Sequence, residues 1–214
     1  MDLNRYIDYT NLKSTATLKD IEKLCDTAIK NNFYSVCVHP YYVSFVSKLL
    51  KNTNIEICTV VGFPLGLNTT KTKSFEAIEA IENGATEIDM MINMSALKNN
   101  DYEYIKEEIE EIRDSIDGKV LKVIIETCYL NAEEIKKMTE ICNLTFINFI
   151  KTSTGFGTRG VSLEDIDIIN KYKNEVLEIK ASGGIKDFDF ICSLIDKKVT
   201  RLGISDITNL EEKK

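Results

Sequence analysis

Short apolar runs rich in β-branched and aromatic residues recur along the chain, separated by longer segments whose apolar residues fall three or four positions apart. The runs RYIDYT (5–10), YSVCV (34–38), IEICTVV (55–61), EIDMMIN (87–93), LKVIIET (121–127), FINFIKT (146–152), LEIKA (177–181) and TRLGIS (200–205) have the length and branching that predict strands. Between them, segments such as TLKDIEKLCDTAIKNN (17–32), TKTKSFEAIEAIENG (70–84), NAEEIKKMTEIC (131–142) and SLEDIDIINKYK (162–173) have helical spacing. Strand and helix alternate throughout, which places the chain in the α/β class. Eight βα units in a chain of this length predict a closed (β/α)8 TIM barrel, since an open doubly wound sheet usually has five or six strands. An open sheet of seven strands is the competing layout, because only DITNLEEKK (206–214) remains for a short C-terminal helix. No linker-like or low-complexity tract interrupts the pattern, so residues 1–214 are read as one domain.

Composition narrows the function classes. The 43% hydrophobic content suits a substantial core, and a formal charge of -7 argues against a nucleic-acid surface. No run approaches the roughly 18 apolar residues of a membrane span, and MDLNRYIDYT at the start lacks a signal peptide's basic and apolar regions. The expected location is cytoplasmic, and the six cysteines, with no CxxC pair, are expected to be reduced. One histidine, His39, and scattered cysteines offer too few suitably spaced ligands for the usual zinc sites, so no metal is expected. His39 itself reads as an incidental loop residue.

Charged residues also fall within the strands. With a period of two, Ile147, Phe149 and Lys151 share a face, as do Glu87 and Asp89, Glu178 and Lys180, and Lys122, Ile124 and Glu126. Faces against helices must be apolar, so these charges point to the barrel interior, where each must be paired or do chemistry. Two lysines at late strand ends beside a carboxylate suit nucleophilic attack on a carbonyl, with one amine kept neutral by burial and by a cationic neighbour. Buried ion pairing is the competing reading. Glycine-bearing loops follow strands six to eight: STG (153–155), SGG (182–184) and GIS (203–205). Barrels commonly bind phosphate there, because glycine lets backbone N–H groups approach the oxygens.

The segments FIKTSTGF, IKASGGI, VGFPLG, NGATEIDMMINMSALK and KVIIETCYL resemble the deoxyribose-phosphate aldolases, a likeness extending from Ile7 to Ser205. The resemblance implies a class I, metal-free and cofactor-free aldolase interconverting 2-deoxy-D-ribose 5-phosphate with acetaldehyde and D-glyceraldehyde 3-phosphate. It implies Lys151 as the imine-forming amine, Lys180 as the lysine that perturbs it and Asp89 as the proton-transfer partner. It further implies Asp8, Thr10, Cys37 and Thr152 around the substrate, with Lys122 as a neighbour, and Gly155, Gly183, Gly184 and Ser205 around the phosphate. The partner it implies is a small sugar phosphate, in a homodimer or homotetramer. An aldolase or transaldolase for another sugar phosphate, and a non-catalytic sugar-phosphate-binding barrel, are the alternatives. Three features depart from the family pattern: Tyr9 stands where many relatives have histidine, Asp206 follows the eighth strand in place of a small residue, and the sequence ends NLEEKK without a C-terminal tyrosine.

Overall fold

In the computed structural model, which describes residues 2–208, eight parallel strands close into a barrel in sequence order. They are β1 (Ile7–Asn11), β2 (Ser35–Val38), β3 (Glu56–Val61), β4 (Glu87–Met91), β5 (Val120–Ile124), β6 (Phe149–Lys151), β7 (Glu178–Ser182) and β8 (Arg201–Ile204). Pairing of β1 with β8, Asp8 opposite Gly203, completes the circle and excludes the open sheet. The helices are α1 (Leu18–Asn31), α2 (Pro40–Leu50), α3 (Thr70–Glu82), α4 (Met94–Lys98), α5 (Tyr102–Ser115), α6 (Ala132–Leu144), α7 (Leu163–Tyr172) and α8 (Phe188–Asp196). Two of them, α4 and α5, follow β4. The short helix expected within residues 206–214 falls largely outside the described residues.

Helix starts follow the local chemistry. Thr17 with Asp20, Asn131 with Glu134, and Ser162 with Asp165 each form a reciprocal capping box at α1, α6 and α7. Such a box satisfies amides that no preceding turn can reach. The stripe Ile21, Leu24, Cys25 and Ala28 on α1 is buried, as period 3.6 requires of a helix packed on a sheet. Outward-facing strand residues, among them Val36, Ile88, Leu121, Ile150, Ile179 and Leu202, join the helices in one apolar cluster. The main hydrophobic core is therefore the shell between sheet and helices, and a small apolar cluster of Leu12, Cys37, Cys58 and Val60 shares the barrel interior with polar groups. Among the described residues no helix is long and apolar enough to cross a membrane.

Several expected strand ends differ. Arg5 and Tyr6 belong to a turn of 3-10 helix (Leu3–Tyr6) capped by Asp2, so β1 starts at Ile7. FINFIKT does not run straight: Phe146 has φ +51° and is 85% exposed, because the chain must reverse after α6 before pairing can begin at Phe149. Glu126 and Thr127 have left the strand as well, Glu126 with φ +51°. Glu178 shares the inward parity of Lys180 but sits at the solvent-exposed amino end of β7, where it accepts a hydrogen bond from Thr200. It is not part of the interior charge cluster.

Candidate active site

Parallel register stacks the inward side chains into layers. In the lower one, the Arg201 guanidinium donates to Asp8 Oδ1 (2.8 Å) and Glu87 Oε2 (3.1 Å) and lies 3.5 Å from the centre of the Tyr34 ring. Above it Asp89 is the hub. Its Oδ1 accepts from Lys122 Nζ (2.8 Å) and the Cys58 thiol (3.1 Å), and its Oδ2 accepts from Lys151 Nζ (2.7 Å) and Lys180 Nζ (2.8 Å). Lys122 also pairs with Glu87 at 2.6 Å, and Lys180 with Asp8 at 2.5 Å. The strand registers explain the convergence: Asp89 is level with Lys122 on the neighbouring strand, and Lys151 with Lys180 on the next pair.

Burial by itself would push the Asp89 and Asp8 carboxyls up, but the surrounding lysines, with Arg201 for Asp8, outweigh it and hold both well below the usual carboxylate range. Burial would likewise pull Lys122 and Lys180 down, yet Asp89 for the first and Asp8 with Asp89 for the second hold them above the usual lysine value. Because the folded carboxyls titrate lower than the ~3.9 of an unfolded chain, they contribute stability that is complete above that value and lost as pH falls through the folded ones. Melting temperature is therefore expected to fall as pH drops below about 4. A flat profile down to pH ~2 would contradict this part of the account.

A cavity of about 570 Å³ opens above this network at the carboxyl ends of β1, β6, β7 and β8. Lys151, Thr10, Gly155, Gly183, Gly184 and Ser205 line it. Asp8, Cys37, Lys122, Thr152, Asp89 and Lys180 do not: all are fully buried and stand outside its wall. Asp8, Cys37 and Thr152, expected around the substrate, stand behind this wall. Asp8 lies two residues below Thr10 on its strand. Thr152 has the opposite pleat from Lys151, and its hydroxyl oxygen accepts the N–H of Ser182 at 3.2 Å. Cys37 is level with Cys58 on the neighbouring strand, and the adjacent Cys58 thiol, ahead of the opposing effect of burial, moves its thiol down from the usual value. Cys37, Cys58 and Asp89 thus bring three potential ligand atoms within 4.8 Å, a juxtaposition that sequence spacing did not reveal. The Asp89 oxygens there are engaged by lysines.

The glycine loops have the geometry of an anion cradle. Gly155, Gly183 and Gly184 have φ values of +87°, +82° and +73°, a region in which a side chain would be strained. Among the described residues, no protein acceptor meets their backbone N–H groups. The cavity wall also contains Phe156 and Lys186, neither of which the sequence motifs had singled out. Asp206 lines the cavity too, but its carboxylate accepts the N–H (3.0 Å) and hydroxyl (2.6 Å) of Thr208, as a cap would. Tyr9 packs on Phe33, and His39 Nε2 lies 3.0 Å from the Leu12 carbonyl, away from the cavity wall.

Lys151 is not an isolated amine, since Asp89 contacts it at 2.7 Å. The contact is shared, however: Lys180 occupies the same oxygen and Lys122 the other, so Asp89 remains doubly paired when Lys151 gives up its proton. Lys122, Lys151, Lys180 and Arg201 face only Asp8, Glu87 and Asp89 in this interior. Among the described residues, this makes four basic side chains against three carboxylates.

Fold and site together define a (β/α)8 barrel with a lysine–carboxylate centre beneath a glycine-walled pocket. The chain belongs to the DeoC/LacD family aldolases, whose family model matches residues 4–203. It is 50% identical over 205 residues to a deoxyribose-phosphate aldolase of Finegoldia magna, covering 96% of each chain. Against the Clostridioides difficile protein of the same name it is 50% identical over 204 residues, covering 95% of this chain and 93% of that one. Among solved structures, QR15, an aldolase, superposes with a TM-score of 0.95 at 42% identity, covering 100% of this chain and 96% of that one. A deoxyribose phosphate aldolase from Aeropyrum pernix, described as a unique tetramer, gives a TM-score of 0.91 at 27% identity, covering 99% and 90% of the two chains.

Proposed function

We propose that the protein is a Schiff-base aldolase that cleaves 2-deoxy-D-ribose 5-phosphate reversibly to D-glyceraldehyde 3-phosphate and acetaldehyde. The observation that carries this reading is positional. Of the three lysines around Asp89, only Lys151 lines the cavity, while Lys122 and Lys180 are sealed below. Membership of the aldolase family and the names of the relatives support the choice of substrate.

In this reading the neutral Lys151 amine adds to the aldehyde carbon C1, and loss of water gives an iminium ion. Removal of the proton from the C3 hydroxyl then lets the C2–C3 bond break, its electrons passing into the enamine on Lys151. Glyceraldehyde 3-phosphate leaves, C2 takes a proton, and water hydrolyses the iminium to release acetaldehyde and restore the amine. Lys180, kept charged by Asp8 and Asp89, is a fixed cation that shares the Asp89 oxygen contacted by Lys151. Asp89 exchanges a proton with Lys151 across their hydrogen bond and anchors all three lysines; its strong pairing makes it a held carboxylate, not a resident acid, at neutral pH. Gly155, Gly183, Gly184 and Ser205 bind the 5-phosphate. Residues 1–214 act as one unit, cytoplasmic and assembled as a homo-oligomer. The test is a coupled assay in which glyceraldehyde 3-phosphate formed from 2-deoxyribose 5-phosphate is followed by a triose-phosphate dehydrogenase. Production of that triose, matched mole for mole by acetaldehyde, is expected; substrate binding without either product would overturn the reading.

A further inference from the structure

Glu126, two residues beyond the end of β5, has a conformation that is costly for a side-chain-bearing residue, φ +51° and ψ +66°. Its carboxylate is buried and reaches across to the loop after β6. There it accepts the N–H of Thr154, 3.1 Å from one oxygen and 3.3 Å from the other, together with the Thr154 hydroxyl. Thr154 Oγ1 accepts the N–H of Phe156 in turn, at 3.0 Å. No cation forms an ion pair with Glu126 among the described residues, so hydrogen bonds from this one loop are what offset its burial.

The N–H groups of Thr154 and Phe156 both end on Glu126, one directly and one through a hydroxyl. The amide between them, that of Gly155 at φ +87°, has no protein acceptor among the described residues and belongs to the cavity wall. The rest of the loop is packed and braced on the same side. A Cβ built on Gly157 would stand 3.2 Å from the Glu126 carboxyl carbon. Arg159 forks onto Asp165 at 2.6 and 3.0 Å, and Asp165 also accepts from the Thr127 hydroxyl at 2.8 Å.

We infer that Glu126 is a positioning residue that presents the Gly155 amide to the substrate phosphate. This rests on the proposed reaction only for the identity of the phosphate ester. A residue that orients an anion donor must affect phosphate-bearing ligands far more than phosphate-free ones, whereas one that merely holds the fold must affect both alike.

The experiment compares wild type, Glu126→Gln, Glu126→Ala and Thr154→Val, the last removing the hydroxyl while keeping the shape, so that one loop variant remains should Glu126→Ala not fold. Calorimetric affinity for inorganic phosphate is expected to weaken roughly tenfold in Glu126→Ala, the size of one lost anion hydrogen bond, and less in Glu126→Gln and Thr154→Val. KM for 2-deoxyribose 5-phosphate should rise in parallel, with kcat and the kcat/KM for unphosphorylated 2-deoxyribose changing by less than about threefold. Unchanged phosphate affinity in the folded variants, equal losses on both sugars, or no phosphate binding by the wild type would overturn the inference. A wild type that binds phosphate but cleaves neither sugar would contradict the proposed reaction instead, and the calorimetric comparison would still decide the role of Glu126.

Discussion

Replacing Lys151 by Leu is expected to reduce cleavage of 2-deoxyribose 5-phosphate by roughly a thousandfold or more while leaving the protein folded. No other lysine can take its place: Lys122 and Lys180 are fully buried, and each is already held by two carboxylates at 2.8 Å or less. Stability should survive because Asp89 keeps both of those partners and the substitution removes the one basic side chain that exceeds the carboxylates in this interior. The melting temperature is therefore expected to stay level or rise slightly. Measuring kcat and melting temperature on the same preparation separates the two effects, and residual activity above about one part in a thousand would contradict a covalent role.

The opposite pattern is expected at the hub. Asp89→Leu deprives Lys122, Lys151 and Lys180 of a common acceptor in a place that water does not reach. Breaking one buried pair typically costs about 3–5 kcal/mol, because the remaining charge is left unpaired. In a chain of this size that corresponds to a melting temperature lower by roughly 6–20 °C. Activity should be lost as well. Chemical denaturation would read the loss directly, and a variant as stable as the wild type would show that the lysine cluster does not depend on this carboxylate. The contrast between the two substitutions is informative because the side chains touch each other at 2.7 Å, yet one is expected to be silent in stability and the other severe.

The period-two pattern made most of this architecture legible. Run length and branching identified all eight strands, and the period of two gave the inward parity of Asp89, Lys122, Lys151 and Lys180, because a helix-covered outer face leaves charged residues nowhere else to go. Parity does not give height along the barrel axis. Glu178 has the right parity but lies at the exposed rim, and Asp8 and Cys37, expected around the substrate, lie beneath the cavity. Height is set by the stagger between strands, which appears only once the barrel closes. Arg201 escaped notice for a related reason. It reads as a polar residue opening the last strand, and only the register places it against Asp8 and Glu87. Glu126 was counted as the end of a strand face, whereas its φ of +51° turns it toward Thr154. No local sequence rule signals a left-handed glutamate, since the loop that stabilises it comes 28 residues later.

The central claim is that one amine at the mouth of β6 bonds covalently to the substrate, and borohydride trapping tests it most directly. Incubation with 2-deoxyribose 5-phosphate and borohydride, followed by peptide mass analysis, should locate a reduced adduct on Lys151 and none in Lys151→Leu. An adduct confined to Lys180, Lys122 or a surface lysine, or no adduct in an enzyme that turns over, would contradict it.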